Sequence, residues 1–162
     1  LRTFAREAED AGVRLNLEIV NRYETNVVNT AEEGLALLDE IGSPNVRIHL
    51  DTFHMNIEEK NQAAAIVKAG SKLAHFHACG SDRGTPGNDH IDWKPIVKAL
   101  RQVNYKGDVV IESFTTDVKV IARAAVAYRK GVTSNASSLD DRERPPDQGR
   151  SRRPHAAGAA VA

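Results

Sequence analysis

The hydrophobic and polar positions of this chain follow two periods, one typical of strands and one typical of helices. Alternation over residues 13–20 and short apolar runs over 46–50, 73–77 and 108–112 predict four strands. Apolar residues at helical spacing predict helices over 3–11, 31–41, 56–69, 92–103 and 118–130. From residue 13 onward, strands and helices therefore alternate.

Helix start and stop signals support these assignments. Thr30 and Glu33 form a capping box before the second helix, and Gly42, followed by Ser43 and Pro44, ends that helix. Gly12 is placed to end the first helix. Asn56, with a glutamate three residues later, is predicted to cap a single third helix.

Four successive βα units predict a parallel sheet with right-handed crossovers in an α/β fold. Such units occur both in doubly wound sheets and in (β/α)₈ barrels. No glycine-rich dinucleotide or Walker sequence follows any of the predicted strands. A complete barrel needs about 250 residues. We therefore predict half of a TIM barrel, with about four βα units.

Composition limits the kinds of partner and the cell compartment that we expect for this chain. Lys+Arg and Asp+Glu number 22 each, so the net charge favours neither nucleic acid nor an anionic membrane as a partner. The single cysteine, Cys79, excludes an internal disulfide and is typical of a reducing compartment, so we expect a cytoplasmic location and a packing role for Cys79.

The last part of the chain differs from the rest. Residues 131–162 contain no aromatic residue and few large aliphatic ones, whereas all eight aromatic residues lie before position 131. Such a stretch buries too little apolar surface to offset its ordering entropy. We predict a barrel half over residues 1–130 and a disordered tail over 131–162.

A metal-compatible side chain lies at or near the end of each predicted strand. These are Glu18, Asp51, His77 and Glu112, separated by 33, 26 and 35 residues, each about the length of one βα repeat. One ligand per strand would then lie at a common level on one barrel rim. Carboxylates with one imidazole suit Mn²⁺, Co²⁺ or Mg²⁺ better than structural zinc.

Further polar residues follow the same strands. Glu24, His54 and Arg83 lie in the segments that leave three of the strands, where they are placed to hold oxygens of a polar, uncharged substrate. His75 lies two residues before His77 on the same side of its strand, and we expect an interior neighbour rather than a fifth ligand. Ordinary surface or loop positions are expected for His49 and His90.

Four segments resemble the second half of the ketose 3-epimerases, which include D-tagatose, D-psicose and L-ribulose 3-epimerases among the xylose-isomerase-like barrels. The segments are LEIVNRYE, LDTFHMNIEE, HFHACGSDRGTPG and VVIESF. The resemblance implies the C-terminal half of such a barrel, a ketose substrate, and a divalent ion, most often Mn²⁺, on the four strand-end residues. It also implies that Glu24, His54 and Arg83 bind substrate.

By the same resemblance, Glu18 and Glu112 serve as the acid and base that move a proton at C3 through an enediolate. One position departs from the family, because Gly80 stands where the family has a glutamate. The same residues and metal would also serve an aldose–ketose isomerase, so this activity is a second possible function. A third is an inactive half-barrel remnant, because the first half of the barrel is missing. An exposed parallel sheet also predicts a homo-oligomer.

Overall fold

Among the described residues, four parallel strands form one sheet in the order β1-β2-β3-β4. The computed structural model describes residues 1–87 and 89–133. The strands are β1 (Leu15–Glu18), β2 (Val46–Asp51), β3 (Leu73–Ala78) and β4 (Val109–Ile111). Each strand pairs in parallel with the next one along the chain. This order confirms the predicted α/β architecture with successive βα units.

In the part of the chain that the structure describes, six helices flank the strands: α1 (Arg2–Asp10), α2 (Ala31–Ile41), α3 (Thr52–Glu58), α4 (Gln62–Ala69), α5 (Trp93–Gln102) and α6 (Val118–Thr133). A 3₁₀ turn over Gly70–Lys72 leads into β3. The last helix runs three residues past the predicted boundary at 130, and residues 134–162 of the predicted tail lie outside the described residues. No described helix has the length and apolar character that a bilayer crossing requires.

The caps of α2 form as predicted. The Thr30 side chain accepts a hydrogen bond from the Glu33 backbone N–H, and the Glu33 carboxylate accepts one from the Thr30 backbone N–H. Gly42 ends the helix in the left-handed region at φ 73°, where a side chain would be strained.

The prediction of one helix over residues 56–69 is wrong. Two helices occupy this part of the chain, and Asn56 lies inside the first of them instead of capping it. The Asp51 carboxylate caps α3 by accepting from the Phe53 backbone N–H at 2.7 Å, so the helix begins directly at the strand end. Glu59 then takes an extended conformation, and Asn61 caps α4. Apolar periodicity alone does not reveal this break.

The hydrophobic core lies between one face of the sheet and the helices. Ile48, Leu50 and Phe76 on the central strands are fully buried together with Ile66 of α4. Gly34 of α2 allows close packing there, because a Cβ atom at this position would lie 2.5 Å from Ile19 Cδ1. Side chains alternate along a strand, so the residues between these core positions point to the opposite face. That opposite face carries the polar residues described next.

Candidate metal centre

Four side chains converge where the strands end. Glu18 ends β1, Asp51 ends β2, His77 lies near the end of β3, and Glu112 directly follows β4. Asp51 and His77 are register partners on adjacent strands. One ligand atom from each of the four side chains lies within 4.8 Å of the others. The structure thus brings together all four residues predicted from the strand-end spacing.

Asp51 and His77 lie at the centre of this cluster. His77 Nδ1 lies 2.9 Å from Glu112 Oε2 and 3.6 Å from Asp51 Oδ2. The Thr52 hydroxyl accepts from the Cys79 backbone N–H at 2.7 Å and donates to the Cys79 carbonyl at 2.6 Å. This buried link fixes the ends of β2 and β3 side by side. Cys79 is itself buried, as expected for a packing residue, and burial raises the pKa of its thiol to about 12.

Arg83 reaches into the cluster from the loop after β3. Its guanidinium donates to Asp51 Oδ2 at 3.0 Å and to Glu112 Oε2 at 2.6 Å, and it lies over the Phe53 ring. The backbone of Arg83 has φ 61°, and its carbonyl accepts from the Phe114 N–H at 2.9 Å. This hydrogen bond ties the loop to the segment after β4, so the arginine is held at the rim.

His54 lies on the β1 side of the cluster and is buried. Its Nδ1 accepts from the Asn21 backbone N–H at 3.3 Å, so the neutral ring carries its proton on Nε2, which lies 3.7 Å from Glu18 Oε1. Burial is the largest cause that lowers the pKa of His54, and Arg83 lowers it further. A neutral His54 is therefore a donor aimed at the rim.

Asn21 is a site residue that the sequence analysis missed. It is 2% exposed, and its side-chain amide lies 2.8 Å from His54 Nδ1 and donates to Glu24 Oε1 at 2.8 Å. Glu24 lies 3.8 Å from His54 Nδ1, with a half-exposed side chain. In the segment LEIVNRYE, Asn21 stands three positions after the predicted ligand Glu18 and two after Ile19, which is buried. This position just beyond the strand end is the signal that could have identified it.

The expectation that His49 occupies an ordinary surface or loop position is wrong. His49 lies within β2 and is 6% exposed, with its ring centroid 4.1 Å from that of His77. Its Nδ1 lies 3.8 Å from Glu18 Oε2. Strand alternation puts His49 on the same face as Asp51, two residues later, which is the signal that was overlooked. His90, by contrast, is an exposed loop residue, as expected.

The carboxyl groups of the cluster titrate differently. Burial raises the pKa of Asp51 to about 7, although Arg83 acts in the opposite direction. Burial also raises the pKa of Glu18, and repulsion from Glu112 adds to the shift. Burial alone would raise the pKa of Glu112, but hydrogen bonds from Asp51 and His77 together with the charge of Arg83 lower it. Burial thus acts on all three carboxyl groups in the same direction, and Glu112 alone of the three is held below its ordinary pKa by its partners.

The two glutamates of the segment LDTFHMNIEE have structural roles. Glu58 forms an ion pair with Arg22 in the loop after β1, at 2.7 Å. Glu59 accepts from the Ala31 backbone N–H at 2.7 Å, at the N-terminus of α2. Both contacts join the α3 segment to the chain between β1 and α2, which carries Glu24.

The donor set fits a divalent ion. Three carboxylates and one imidazole can approach a common point, and hard oxygen donors with a single nitrogen suit Mn²⁺, Co²⁺ or Mg²⁺. Asp51 is fully buried, and a buried carboxylate normally has a cationic or hydrogen-bonding partner. In this structure Arg83 provides that partner.

Comparison with known proteins identifies the class to which this arrangement belongs. The model of the family described as xylose isomerase-like TIM barrel matches residues 1–149. The chain belongs to this family.

The relatives that match the chain include sugar epimerases. The chain is 43% identical over 143 residues to a D-psicose 3-epimerase of Enterocloster bolteae, covering 88% of this chain and 48% of that protein. It is 46% identical over 111 residues to an L-ribulose 3-epimerase of Methylomonas sp., covering 68% and 39%. The chain thus spans less than half the length of these relatives.

Comparison with solved structures also finds a sugar epimerase. A crystal structure of a D-psicose 3-epimerase in the presence of D-fructose superposes with a TM-score of 0.68 and 43% identity, covering 77% of this chain and 44% of that one. This coverage confirms the predicted half-barrel architecture and the predicted resemblance to ketose 3-epimerases.

Proposed function

We propose that the chain supplies the metal-binding half of a ketose 3-epimerase, a metal-dependent enzyme that inverts carbon 3 of a free ketose. The observation that carries the proposal is the convergence of one donor atom from each of Glu18, Asp51, His77 and Glu112 within 4.8 Å. The similarity to D-psicose and L-ribulose 3-epimerases supports the substrate class.

The proposed reaction moves one proton off C3 and another onto its opposite face. A carboxylate of the pair Glu18 and Glu112 accepts the C3 proton, which leaves an enediolate on the sugar. The other, as a carboxylic acid, returns a proton to the opposite face. No electrons are gained or lost, and reversal exchanges the two roles. The strands that carry the two residues lie at opposite edges of the sheet, which supports this division.

A bound divalent ion would supply positive charge that stabilises the oxygen-centred negative charge of the enediolate. We propose that Glu18, Asp51, His77 and Glu112 hold this ion and that Mn²⁺ fits best, with Co²⁺ and Mg²⁺ as alternatives. Three carboxylates favour a hard cation, and the single imidazole favours a transition ion over Ca²⁺.

Glu24, His54 and Arg83 are proposed to bind the ketose hydroxyl and carbonyl oxygens. His54 offers an Nε2 proton, and Asn21 fixes the ring by hydrogen bonding to its other nitrogen. Arg83 offers its guanidinium at the rim, where the Phe53 and Phe114 rings flank it. Its present hydrogen bonds to two carboxylates mean that a bound cation and sugar would compete for the same groups.

The test uses the 162-residue chain co-expressed with the first half of the Enterocloster bolteae relative. Interconversion of D-fructose and D-psicose is measured with Mn²⁺ present. We expect turnover from the pair, and a loss of at least 10³-fold in Glu112→Gln, because a glutamine accepts no C3 proton. Glu7→Gln, an exposed acid on α1, is the matched control and retains turnover. Full turnover in Glu112→Gln would refute its role as acid or base.

Isotope exchange distinguishes the proposed reaction from aldose–ketose isomerisation. In D₂O an epimerase incorporates deuterium at C3 of the ketose, whereas an isomerase that exchanges its proton with solvent incorporates it at C1 of the ketose or C2 of the aldose. Proton NMR of the sugar locates the label. An aldose product without C3 labelling would replace the proposal with a sugar isomerase, and no turnover with a metal-loaded pair would favour an inactive remnant.

We also propose that the chain self-associates. Among the described strands β1 pairs only with β2, and β4 only with β3, so two parallel edges remain open. Val110 is 39% exposed on the face opposite the helices. Pairing of two half-barrels would cover both features. Light scattering during size-exclusion chromatography should give at least twice 17.7 kDa, and a monodisperse monomer would contradict self-association.

A further inference from the structure

Three histidines form a second cluster one layer below the rim. His49 on β2 and His75 on β3 are direct register partners, and His77 lies two residues further along β3. Because side chains alternate along strands, all three lie on the face opposite the helices. Their ring centroids are 4.1, 4.7 and 4.9 Å apart, and all three pairs meet edge to face.

One buried nitrogen atom of this cluster makes no hydrogen bond to the described residues. His49 Nε2 is buried and has no hydrogen-bond partner among the described residues. Buried polar nitrogens in folded proteins are normally hydrogen-bonded or bound to a ligand. On the other side of the ring, Nδ1 lies 3.8 Å from Glu18 Oε2, a carboxylate that can orient the imidazole as outer-shell carboxylates do in metal sites.

We propose that His49, His75 and His77 form a second cation site, selective for Zn²⁺ or a similar borderline transition ion. One nitrogen of each ring already lies within 4.8 Å of the others. Tetrahedral binding at 2.0–2.1 Å requires nitrogens about 3.4 Å apart, so small side-chain rotations complete the site. Three imidazoles prefer Zn²⁺, whereas the carboxylate-rich set at the rim prefers a hard ion.

His77 belongs to both sets, and this shared residue couples them. Zn²⁺ on the histidine set removes one donor from the rim set, so Zn²⁺ weakens the binding of Mn²⁺ at the rim. His75 belongs to the histidine set alone, and Asp51 to the rim set alone. The two sites are therefore separable by mutation even though they share a ligand.

The test measures Zn²⁺ affinity of the 162-residue chain by competition with a chromogenic chelator, and Mn²⁺ affinity by electron paramagnetic resonance. In His75→Asn we expect Zn²⁺ affinity to fall at least tenfold while Mn²⁺ affinity changes less than threefold. In Asp51→Asn we expect Mn²⁺ affinity to fall at least tenfold while Zn²⁺ affinity changes less than threefold. His90→Asn, which removes an exposed histidine outside the cluster, is the matched control and should leave both affinities unchanged.

A second measurement needs no variant. Nitrogen-15 NMR of the histidine rings in the wild-type chain should show one equivalent of Zn²⁺ shifting three imidazoles, assigned to His49, His75 and His77. The proposal is overturned if Zn²⁺ affinity in His75→Asn equals that of the wild type. It is also overturned if His75→Asn loses both metals together, which would mean one common site, or if Zn²⁺ shifts other histidines.

Discussion

The two faces of the sheet differ in the side chains that they bury, apolar on one face and mostly polar on the other. On the helix-covered face, Ile48, Leu50 and Phe76 are fully buried among other apolar side chains. On the other face, His49 and Asp51 alternate with Ile48 and Leu50 along β2 and are also buried, but among charged and imidazole groups. Successive residues of one strand thus serve stability and chemistry separately. Substitutions on the two faces should therefore have different consequences.

The largest effect is expected on the helix-covered face. Phe76→Ala removes a fully buried ring and should lower the free energy of unfolding by about 4 kcal/mol. Urea denaturation followed by circular dichroism measures the change. Phe4→Ala, at a ring that is 64% exposed, is the matched control, expected to cost under about 0.5 kcal/mol. Equal losses in the two variants would remove the contrast between the faces.

A smaller effect, confined to binding, is expected on the polar face. Asp51→Asn removes a central donor of the proposed rim site and should reduce Mn²⁺ affinity about 100-fold or more, since even supporting partners of metal ligands contribute 10–100-fold. Electron paramagnetic resonance measures free Mn²⁺. Asp39→Asn, an exposed acid on α2, should bind as the wild type does. Unchanged affinity in Asp51→Asn would exclude Asp51 as a ligand.

The proton on Asp51 gives the polar face a pH dependence. Burial raises the pKa of Asp51 to about 7, and a metal ligand must be deprotonated. Protons therefore compete below about pH 7, and Mn²⁺ affinity should fall by about tenfold per pH unit from 7 to 5. Above pH 8 it should be level. Isothermal titration at four pH values tests this, and a flat profile would contradict the raised pKa.

The smallest effect concerns a helix that covers the apolar face. Thr30→Ala removes the side-chain half of the α2 capping box and should cost about 1 kcal/mol of stability. Thr30→Ser keeps the acceptor oxygen and should cost a few tenths of that. Thermal melts of the two variants compare them. Mn²⁺ affinity should be unaffected in both, because Thr30 acts at the start of α2, where its side chain pairs with Glu33; a loss of affinity would mean that the two faces are coupled.

The sequence predicted most elements and the four residues at the strand ends. Two of its predictions are wrong. The pattern predicts one helix over residues 56–69, yet the Asp51 side chain caps a first helix that begins at Thr52, and Glu59 interrupts the helical run where its carboxylate binds the N-terminus of α2. A surface or loop position is expected for His49 because no neighbouring motif marks it. The contacts of Glu59 with α2 and of His49 with His77 join residues far apart in the chain, which periodicity does not record. The Asp51 cap is a local contact that the strand assignment of Asp51 obscured.

Spacing along the chain therefore determined the parallel βα order and the position of one donor at each strand end. Both follow from the repeat length and from the rule that parallel strands end at one edge. Only the tertiary structure decided which polar residues share that edge. It placed Arg83 between Asp51 and Glu112, used Asn21 to fix His54, and turned His49 inward beside His77. These contacts depend on strand register and loop closure, which are set by packing of the whole sheet.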